Sequence, residues 1–530
     1  MYVFNLISSY RYLEGMIYIE DILKQIVDRI SITKGNVYLV GGAVRDEIMG
    51  KHPKDYDFCV TGITEKDFLN IFPEAISTGK DFPVFRVKIN EEEFEFALAR
   101  MEKGSGLSHN TNIEFKTDIS LTIKDDLSRR DITINSIAKD LKTGEYIDPF
   151  GGISDIENGI IRHTSEAFVE DPLRVYRAAR FASVFGFNID ESTLRLMYEL
   201  RNGYHFYKQD IDNINSRLGF LKKSGITIDK IYKIATILKK KLGEKVAQKE
   251  EELETIEDIQ NLIKQDLLIQ NSSISNKSRT IAKSLIGGMH SLSKDRIREE
   301  FKKVLGSEYI SKYFIGLKEA KVLDVHFQEL ANLIGVEQPE EYHPEGDAFI
   351  HSLIVAEKVS KKTDDLRVIY AALLHDIGKG ETPKLEYPMH IGHDIKGVEL
   401  VTKIGERLGV RNSWIKASIF AAGEHMRAAN YPIMRVSKKV DFIVKTEKSK
   451  LGLYGLELIV NADDMIGRDL VKFADLGKQM LKEVTEGSVI KNFKITPQEN
   501  IERFKEIVKR ERMKWIKCYS KLRSNIERDE

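Results

Sequence analysis

The apolar positions change their spacing along the chain. Within an N-terminal extension, residues 1–34, one stretch from roughly Ile19 to Ile30 reads as an amphipathic helix. The run VYLV at 37–40 predicts a buried strand. A Gly-Gly pair follows, then AVRDEIMG reads as a helix stopped at Gly50. DYDFCVTG at 55–62 predicts a second strand, and residues 84–89 and 93–99 two more, the last alternating as EFEFALA. Strands and helices mix until about residue 150. Beyond that point strand signals nearly vanish. Residues 165–200 are helical, 202–290 are Lys-, Ile- and Asn-rich, and 291–340 are helical again. A histidine-dense helical block runs from 343 to about 470, and a Lys/Arg/Glu-rich amphipathic helix follows residue 490.

Composition narrows the picture. A chain of 530 residues exceeds one hydrophobic core and implies several domains. Lys+Arg and Asp+Glu both number 82, so any nucleic-acid role must rest on a local groove rather than on bulk charge. Cys59 and Cys518 are far apart and lack CxxC spacing, which excludes a cysteine zinc site and points to a reducing, cytoplasmic setting. No apolar run reaches the roughly 18 residues of a membrane span, and no signal peptide is legible.

Two constellations carry chemistry. In the first, Asp55 and Asp57 are two residues apart in a predicted strand, where alternate side chains point the same way. Paired carboxylates suit Mg²⁺, and two such ions can activate a 3′-hydroxyl and stabilise a pyrophosphate leaving group. Gly41-Gly42 before a helix lets backbone N–H groups approach a triphosphate. Arg45 lies between the two features, and Glu95 on the alternating strand is a candidate third carboxylate. Alone, a DxD is more often a solvated strand end.

The wider context changes that balance. LVGGAVRDEIMGKHPKDYDFCVTG, DDLSRRDITINSIAKD (125–140), DPFGG (148–152) and EDPLRVYRAARF (170–181) occur in order. Together they resemble the class II tRNA nucleotidyltransferases, the CCA-adding enzymes and the bacterial poly(A) polymerases. The resemblance implies that Asp55 and Asp57 bind Mg²⁺, and that Gly42 and Arg45 lie at the nucleotide phosphates and ribose. It implies that Arg130 touches the triphosphate and that Asp131 binds the ribose or orders the loop. Asp171 and Arg174 would present hydrogen-bonding edges to the incoming base, with Arg177 and Arg180 also at the nucleotide. Positions 171, 174, 177 and 180 differ by three, so one helix face can display them.

In the second constellation, His375-Asp376 follows a run of small and apolar residues, with His351 upstream and Asp463 downstream. The order HPEGDAFIH, LLHDIGKG, HIGHDIKG, NADDMIGR resembles the HD phosphohydrolase module that some bacterial CCA proteins carry. The resemblance implies a divalent metal such as Ni²⁺, Mn²⁺ or Mg²⁺ on His351, His375, Asp376 and Asp463. The activity implied is 2′,3′-cyclic phosphodiesterase, 2′-nucleotidase and phosphatase. His390, His393 and His425 are candidates for supporting or substrate-binding roles, equally readable as structural; His343 reads as a turn residue.

The fold class expected is therefore α+β: an N-terminal nucleotidyltransferase palm with a mixed sheet, then an all-α body and an all-α HD domain. The expected boundaries are 35–150 for the palm, 151–201 for nucleotide-recognition helices and 202–290 for a helical insertion. A helical body at 291–342, an HD domain at 343–480 and a basic helical tail at 481–530 follow. SLSKDRIREEFKKVL (291–305) resembles the family's third helical motif, with Asp295 where Glu is usual. The implied partners are tRNA, CTP and ATP, with no membrane and with a homodimer as one option. The leading expectation is addition of C, C and A to tRNA. The alternatives are a poly(A) polymerase, a partial CC- or A-adding enzyme, or an HD-type RNA-end phosphohydrolase.

Overall fold

The structure is a computed structural model that describes residues 19–78, 84–90, 92–104, 113–201, 288–465, 471–493, 497–498 and 500–529. Most of the expected 202–290 insertion lies outside the described residues. The chain divides into two compact units, residues 1–182 with 187–293, and residues 183–186 with 294–530.

The first unit is built on a mixed sheet. Its helix α1, residues 19–30, precedes strand β1 (Asn36–Val40), helix α2 (Gly42–Ile48), β2 (Asp57–Thr61) and α3 (Glu65–Ile71). Strands β3 (Ile76–Thr78), β4 (Val84–Ile89) and β5 (Glu92–Leu98) follow. A separate two-stranded sheet pairs β6 (Arg100–Gly104) antiparallel with β7 (Ile113–Thr117). Helix α4 (Ile123–Ser128) and strands β8 (Ala138–Asp140) and β9 (Tyr146–Ile147) complete the sheet region. The seven strands lie in the order β3-β4-β5-β2-β1-β8-β9. Only β2 and β5 pair in parallel; the other neighbours are antiparallel.

Alternation sends side chains to two faces, both covered at β1 and β2, with one face exposed at β4 and β5. One face buries Val37, Leu39, Phe58, Val60, Phe94 and Phe96, and Ile22, Ile26 and Ile30 of α1 pack into it. The helix expected within an N-terminal extension thus belongs to the palm core. Tyr38, Val40 and Cys59 turn to the other face, against Ile123 and Leu127 of α4. A capping box starts α4: Thr122 Oγ1 accepts from Asp125 N, and the Asp125 carboxylate accepts from Thr122 N. This sets the direction in which the chain leaves toward Arg129 and Arg130. Helix α5 (Gly152–Asn158) follows the DPFGG turn, and α6 (Leu173–Phe185) and α7 (Glu191–Leu200) come next.

In DPFGG, Asp148 accepts from the Gly152 and Ile153 N–H groups at 2.7 and 2.9 Å, covering the open start of α5. A Cβ at Gly152 would lie 2.2 Å from the Thr133 carbonyl oxygen, so only glycine permits that contact. The motif is therefore a packing device for the turn Thr133–Asn135.

The second unit is helical. Helices Lys294–Leu305, Ile310–Glu319 and Ala348–Ser360 lead to Leu366–Leu373, His393–Leu408, Asn412–Ala429, Val436–Lys448 and Gly452–Asp463. The C-terminal helix Ile501–Asp529 is charged, yet Phe504 and Val508 are buried with Val489. Its Lys509 pairs with Asp441 at 2.7 Å. Among the described residues no helix is long and apolar enough to cross a membrane.

Candidate active sites

The palm site is assembled by register. Val40, the last residue of β1, pairs with Asp57, and Asp57 pairs with Glu95 across the parallel β2–β5 ladder. Directly opposed residues share a face, so the Asp57 and Glu95 carboxylates stand side by side at the end of the Gly-Gly turn. Gly41 has φ +71°. A Cβ there would lie 3.2 Å from Arg130 Nη1, with Asp57 Oδ2 4.0 Å away, so the turn, the guanidinium and the carboxylate occupy one corner.

Asp55 is not on the strand as its spacing suggests. It sits in the bend before β2, which begins at Asp57, and the bend brings it near by a different route. Partial desolvation raises the Asp57 carboxyl above its ordinary value, and the negative charges of Glu95 and Asp55 add to this against the pull of Arg130. Crowded carboxylates of this kind favour a cation, so the donor set fits Mg²⁺. Glu95 also receives Arg86 Nε at 3.0 Å.

Arg129 and Arg130 are held by a group that the motif reading did not single out. Buried Asp126 binds Arg129 at 2.5 Å and Arg130 at 3.0 Å. Burial would raise its carboxyl, but the two guanidinium groups outweigh that and hold it low. Asp131 is also buried and accepts from Arg177 Nε at 2.7 Å, Ile132 N at 3.0 Å and Asn135 Nδ2 at 3.3 Å. Burial again opposes ionisation, and Arg177 and Arg174 overcome it. Arg45 donates to Asn135 Oδ1 at 2.6 Å. The Arg180, Arg45 and Arg177 guanidinium groups lie 4.0, 5.7 and 5.8 Å from the centre of the Phe181 ring.

Of the four positions spaced three apart, Asp171 lies before α6 in an extended conformation, so one helix face displays only Arg174, Arg177 and Arg180, and these divide. Arg177 and Arg180 join Arg45 around Phe181. Arg174 is buried and donates to the Ala167 carbonyl at 2.5 Å, and Asp171 accepts from Leu173 N at 2.9 Å at the helix start.

The second site lies inside the helical unit. His351, His375 and Asp376 are almost fully buried, and Asp463 ends the helix that faces them. His351 Nε2 lies 3.0 Å from Asp463 Oδ1 and 3.5 Å from Asp376 Oδ2. His375 Nε2 lies 3.6 and 3.4 Å from the same two oxygens. These four donors are mutually within 4.8 Å.

Each imidazole is oriented from behind. His375 Nδ1 is 2.8 Å from the Ala372 carbonyl, and His351 Nδ1 is 2.5 Å from the Glu345 carboxylate. Both partners only accept, so both Nδ1 atoms carry the proton and both Nε2 lone pairs point inward. There they meet carboxylate oxygens, acceptors facing acceptors. No hydrogen bond satisfies His351 Nε2, His375 Nε2 or Asp376 Oδ1, although all three are buried. A divalent cation resolves this arrangement, and imidazole with carboxylate suits Ni²⁺ or Mn²⁺. With no ion there, Asp376 and Asp463 would instead draw a proton onto His375 Nε2, pushing the imidazole up to about 10 against burial, and a cation takes the place of that proton. Lys379 Nζ, itself buried, lies 2.5 Å from Asp376 Oδ2 and 2.5 Å from Gln338 Oε1.

The remaining histidines separate by their partners. His390 spends Nδ1 on Thr382 Oγ1 at 2.6 Å and Nε2 on the Glu337 carbonyl at 2.7 Å, which is a structural role. His393 and His425 instead turn Nε2 toward Asp376 Oδ1, at 3.3 and 3.2 Å. His343 is half-buried, 4.5 Å from the His351 ring, and burial takes it down to about 4. Glu345 was missed by the sequence reading; its place two residues after His343 carried no separate signal.

Comparison with known proteins finds relatives of both regions. The Poly A polymerase head domain matches residues 37–162, the HD domain 348–462, and the probable RNA and SrmB-binding site of polymerase A 273–334. The multifunctional CCA protein of Vibrio parahaemolyticus is 33% identical over 423 residues, covering 78% of this chain and 82% of that one. That of Acinetobacter baumannii is 34% identical over 394 residues, 74% of each. A solved CCA-adding enzyme in complex with ATP shares the fold at 16% identity and TM-score 0.51, covering 94% of this chain and 90% of that chain. With these three matches in that order and relatives about a third identical over most of both chains, the chain belongs to the family of multifunctional CCA proteins.

Proposed function

We propose that this protein adds C, C and A to the 3′ end of tRNA, taking CTP and ATP as donors, and that its HD unit hydrolyses phosphoesters at nucleotide or RNA ends. The observation that carries the first reading is the corner where Asp57, Glu95, Gly41 and Arg130 meet. Asp55 and Asp57 are the residues that would hold Mg²⁺, whose role is to polarise the triphosphate and lower the cost of a 3′-oxyanion. Around it the chain positions the donor. The turn before α2 offers backbone N–H groups, and Arg130, tethered by Asp126, directs a positive charge toward the triphosphate. Arg45, Arg177 and Arg180 around Phe181 form a second cationic group suited to the rest of the nucleotide, and Asp131 holds Arg177 in place. A base read by protein side chains needs fixed donors and acceptors. Asn135, tied to both Arg45 and Asp131, keeps the group rigid.

In the HD unit, a metal held by His351, His375, Asp376 and Asp463 would supply an activated water for attack on phosphorus. Glu345 and the Ala372 carbonyl keep both imidazoles aimed, and Lys379 places an ammonium beside the site for a phosphoryl oxygen.

The test is extension of tRNA lacking its last three nucleotides, with CTP alone, ATP alone and both, sized to one nucleotide. Two additions with CTP and a third only when ATP joins support the reading. A ladder of A from ATP alone, or no extension at all, overturns it. In parallel, Asp55→Ala should abolish extension and leave 2′,3′-cyclic nucleotide hydrolysis, with His375→Ala doing the reverse.

A further inference from the structure

The metal-facing atoms of the HD site are acceptors without donors, and beside them stand donors without acceptors. Gln338 is 4% exposed and Lys379 7%. Lys379 Nζ gives one N–H to Asp376 Oδ2 and one to Gln338 Oε1, both at 2.5 Å. An ammonium only donates, so the carboxamide must turn Oε1 to it, and this fixes where Nε2 lies. Gln338 Nε2 is buried, and no acceptor meets it among the described residues. Lys379 has a third N–H beyond its two bonds. Buried donors left unpaired are destabilising, and an acceptor carried in by a ligand relieves them. The backbone holds both residues in place. Gln338 N donates to the Gly346 carbonyl and Ala348 N to the Val336 carbonyl, each at 3.0 Å, which clamps the segment to the start of the helix bearing His351. His390 Nε2 donates to the Glu337 carbonyl at 2.7 Å, and Thr382 Oγ1 to the Lys379 carbonyl at 2.6 Å.

We propose that Gln338 and Lys379 form a phosphate seat in the HD unit, in which Gln338 Nε2 and the third Lys379 N–H each take one non-bridging oxygen of a phosphoryl group. The shared bond through Oε1 keeps the two donors side by side, as neighbouring oxygens of one tetrahedral oxoanion require. Charge favours the same ligand. Asp376 is the carboxylate paired with Lys379, and once Asp376 shares its charge with a cation the ammonium is left with charge for an anion. Phosphomonoesters and 2′,3′-cyclic phosphodiesters both present two such oxygens, so the seat accepts either and reads neither base nor sugar. The donors stand on this geometry; that the seated phosphoryl group is cleaved rests on the hydrolase reading above.

The experiment titrates inorganic phosphate into the full-length protein in Mg²⁺ by isothermal titration calorimetry. The double variant Gln338→Met/Lys379→Met gives the phosphate held elsewhere in the chain, which is common to all. The wild type should bind phosphate beyond that baseline, and Gln338→Met should bind it roughly 10–100-fold more weakly. Gln338→Glu separates a donor from a mere tether, because its carboxylate still accepts from Lys379 and preserves the packing but donates nothing. It should lose at least as much affinity, and KM for a 2′,3′-cyclic nucleotide should rise with it. A wild type that binds no more phosphate than the double variant, or a Gln338→Glu protein that binds it as tightly as the wild type, overturns the proposal. If phosphate affinity falls as expected and no phosphoester is cleaved by the wild type, the hydrolase reading fails and the seat stands. If cyclic nucleotides are cleaved equally well by wild type and Gln338→Glu, the seat fails and the hydrolase reading stands.

Discussion

Replacing Gly378 by alanine should disable the HD site while changing none of its ligands. Gly378 lies in the turn Ile377–Glu381 that follows His375-Asp376 and packs against the start of the helix His393–Leu408. A Cβ at this position would lie 1.9 Å from the His393 carbonyl oxygen and 2.6 Å from Gly397 N. Non-bonded atoms at their optimum are about 3.5 Å apart, so the turn and the helix must separate by roughly 1.5 Å. That motion carries His393 away from Asp376 Oδ1, which it now approaches to 3.3 Å. Overpacking of this kind costs about 1–3 kcal/mol of stability. A misplacement of about 1 Å in a preorganised site is worth roughly 10²-fold in rate. The expected outcome is a folded protein whose 2′,3′-cyclic nucleotide hydrolysis falls about a hundredfold while tRNA extension is unchanged. Gly423→Ala is the control, because a Cβ there meets only Val398 Cγ2 at an ordinary 3.6 Å. Hydrolysis by Gly378→Ala within a factor of about two of the wild type would refute the claim that close packing of turn on helix sets the ligand geometry.

Three further outcomes are expected. Gly41→Ala forces a Cβ into a left-handed backbone at a cost of about 1–2 kcal/mol, and presses on Arg130; steady-state kinetics should show KM for CTP and ATP rising, and an unchanged KM would break the link to the triphosphate. Arg177→Ala strands the buried Asp131 carboxylate and should cost roughly 1–3 kcal/mol at neutral pH by denaturant unfolding. The Asp131 carboxyl is held low in the folded state, so its contribution is complete above the ordinary carboxylate range and is lost as pH falls through the depressed native value. The difference between wild type and variant should therefore shrink in acid, and a constant difference would contradict the pairing. Glu345→Ala removes the group behind His351 and should weaken Mn²⁺ binding in the HD unit by about 10–100-fold in an equilibrium titration; unaltered affinity would make Glu345 a bystander.

Much of the chemistry is legible in the sequence, because it depends on residue type and order. Asp57, the Gly-Gly turn, the Arg130 motif and the His375-Asp376 pair stand in local sequence, and period-two alternation in EFEFALA already placed Glu95 on a strand face opposite Phe94 and Phe96. What local pattern could not supply was pairing across the chain. The parallel β2–β5 ladder, not the spacing of Asp55 and Asp57, brings a second strand's carboxylate to Asp57, and Asp55 arrives from a bend. Of the four positions spaced by three, Asp171 falls before α6, and tertiary packing buries Arg174 against Ala167 and leaves Arg177 and Arg180 to surround Phe181. Three nearby histidines, His390, His393 and His425, were indistinguishable in sequence. Their fates separate only when Thr382 and the Glu337 carbonyl claim both nitrogens of His390, while backbone carbonyls take Nδ1 of the other two and turn Nε2 to Asp376. Residue types and their order set which reactions the chain is equipped for. Which donors face the same point in space depends on long-range register and helix packing, and these are properties of the folded chain as a whole.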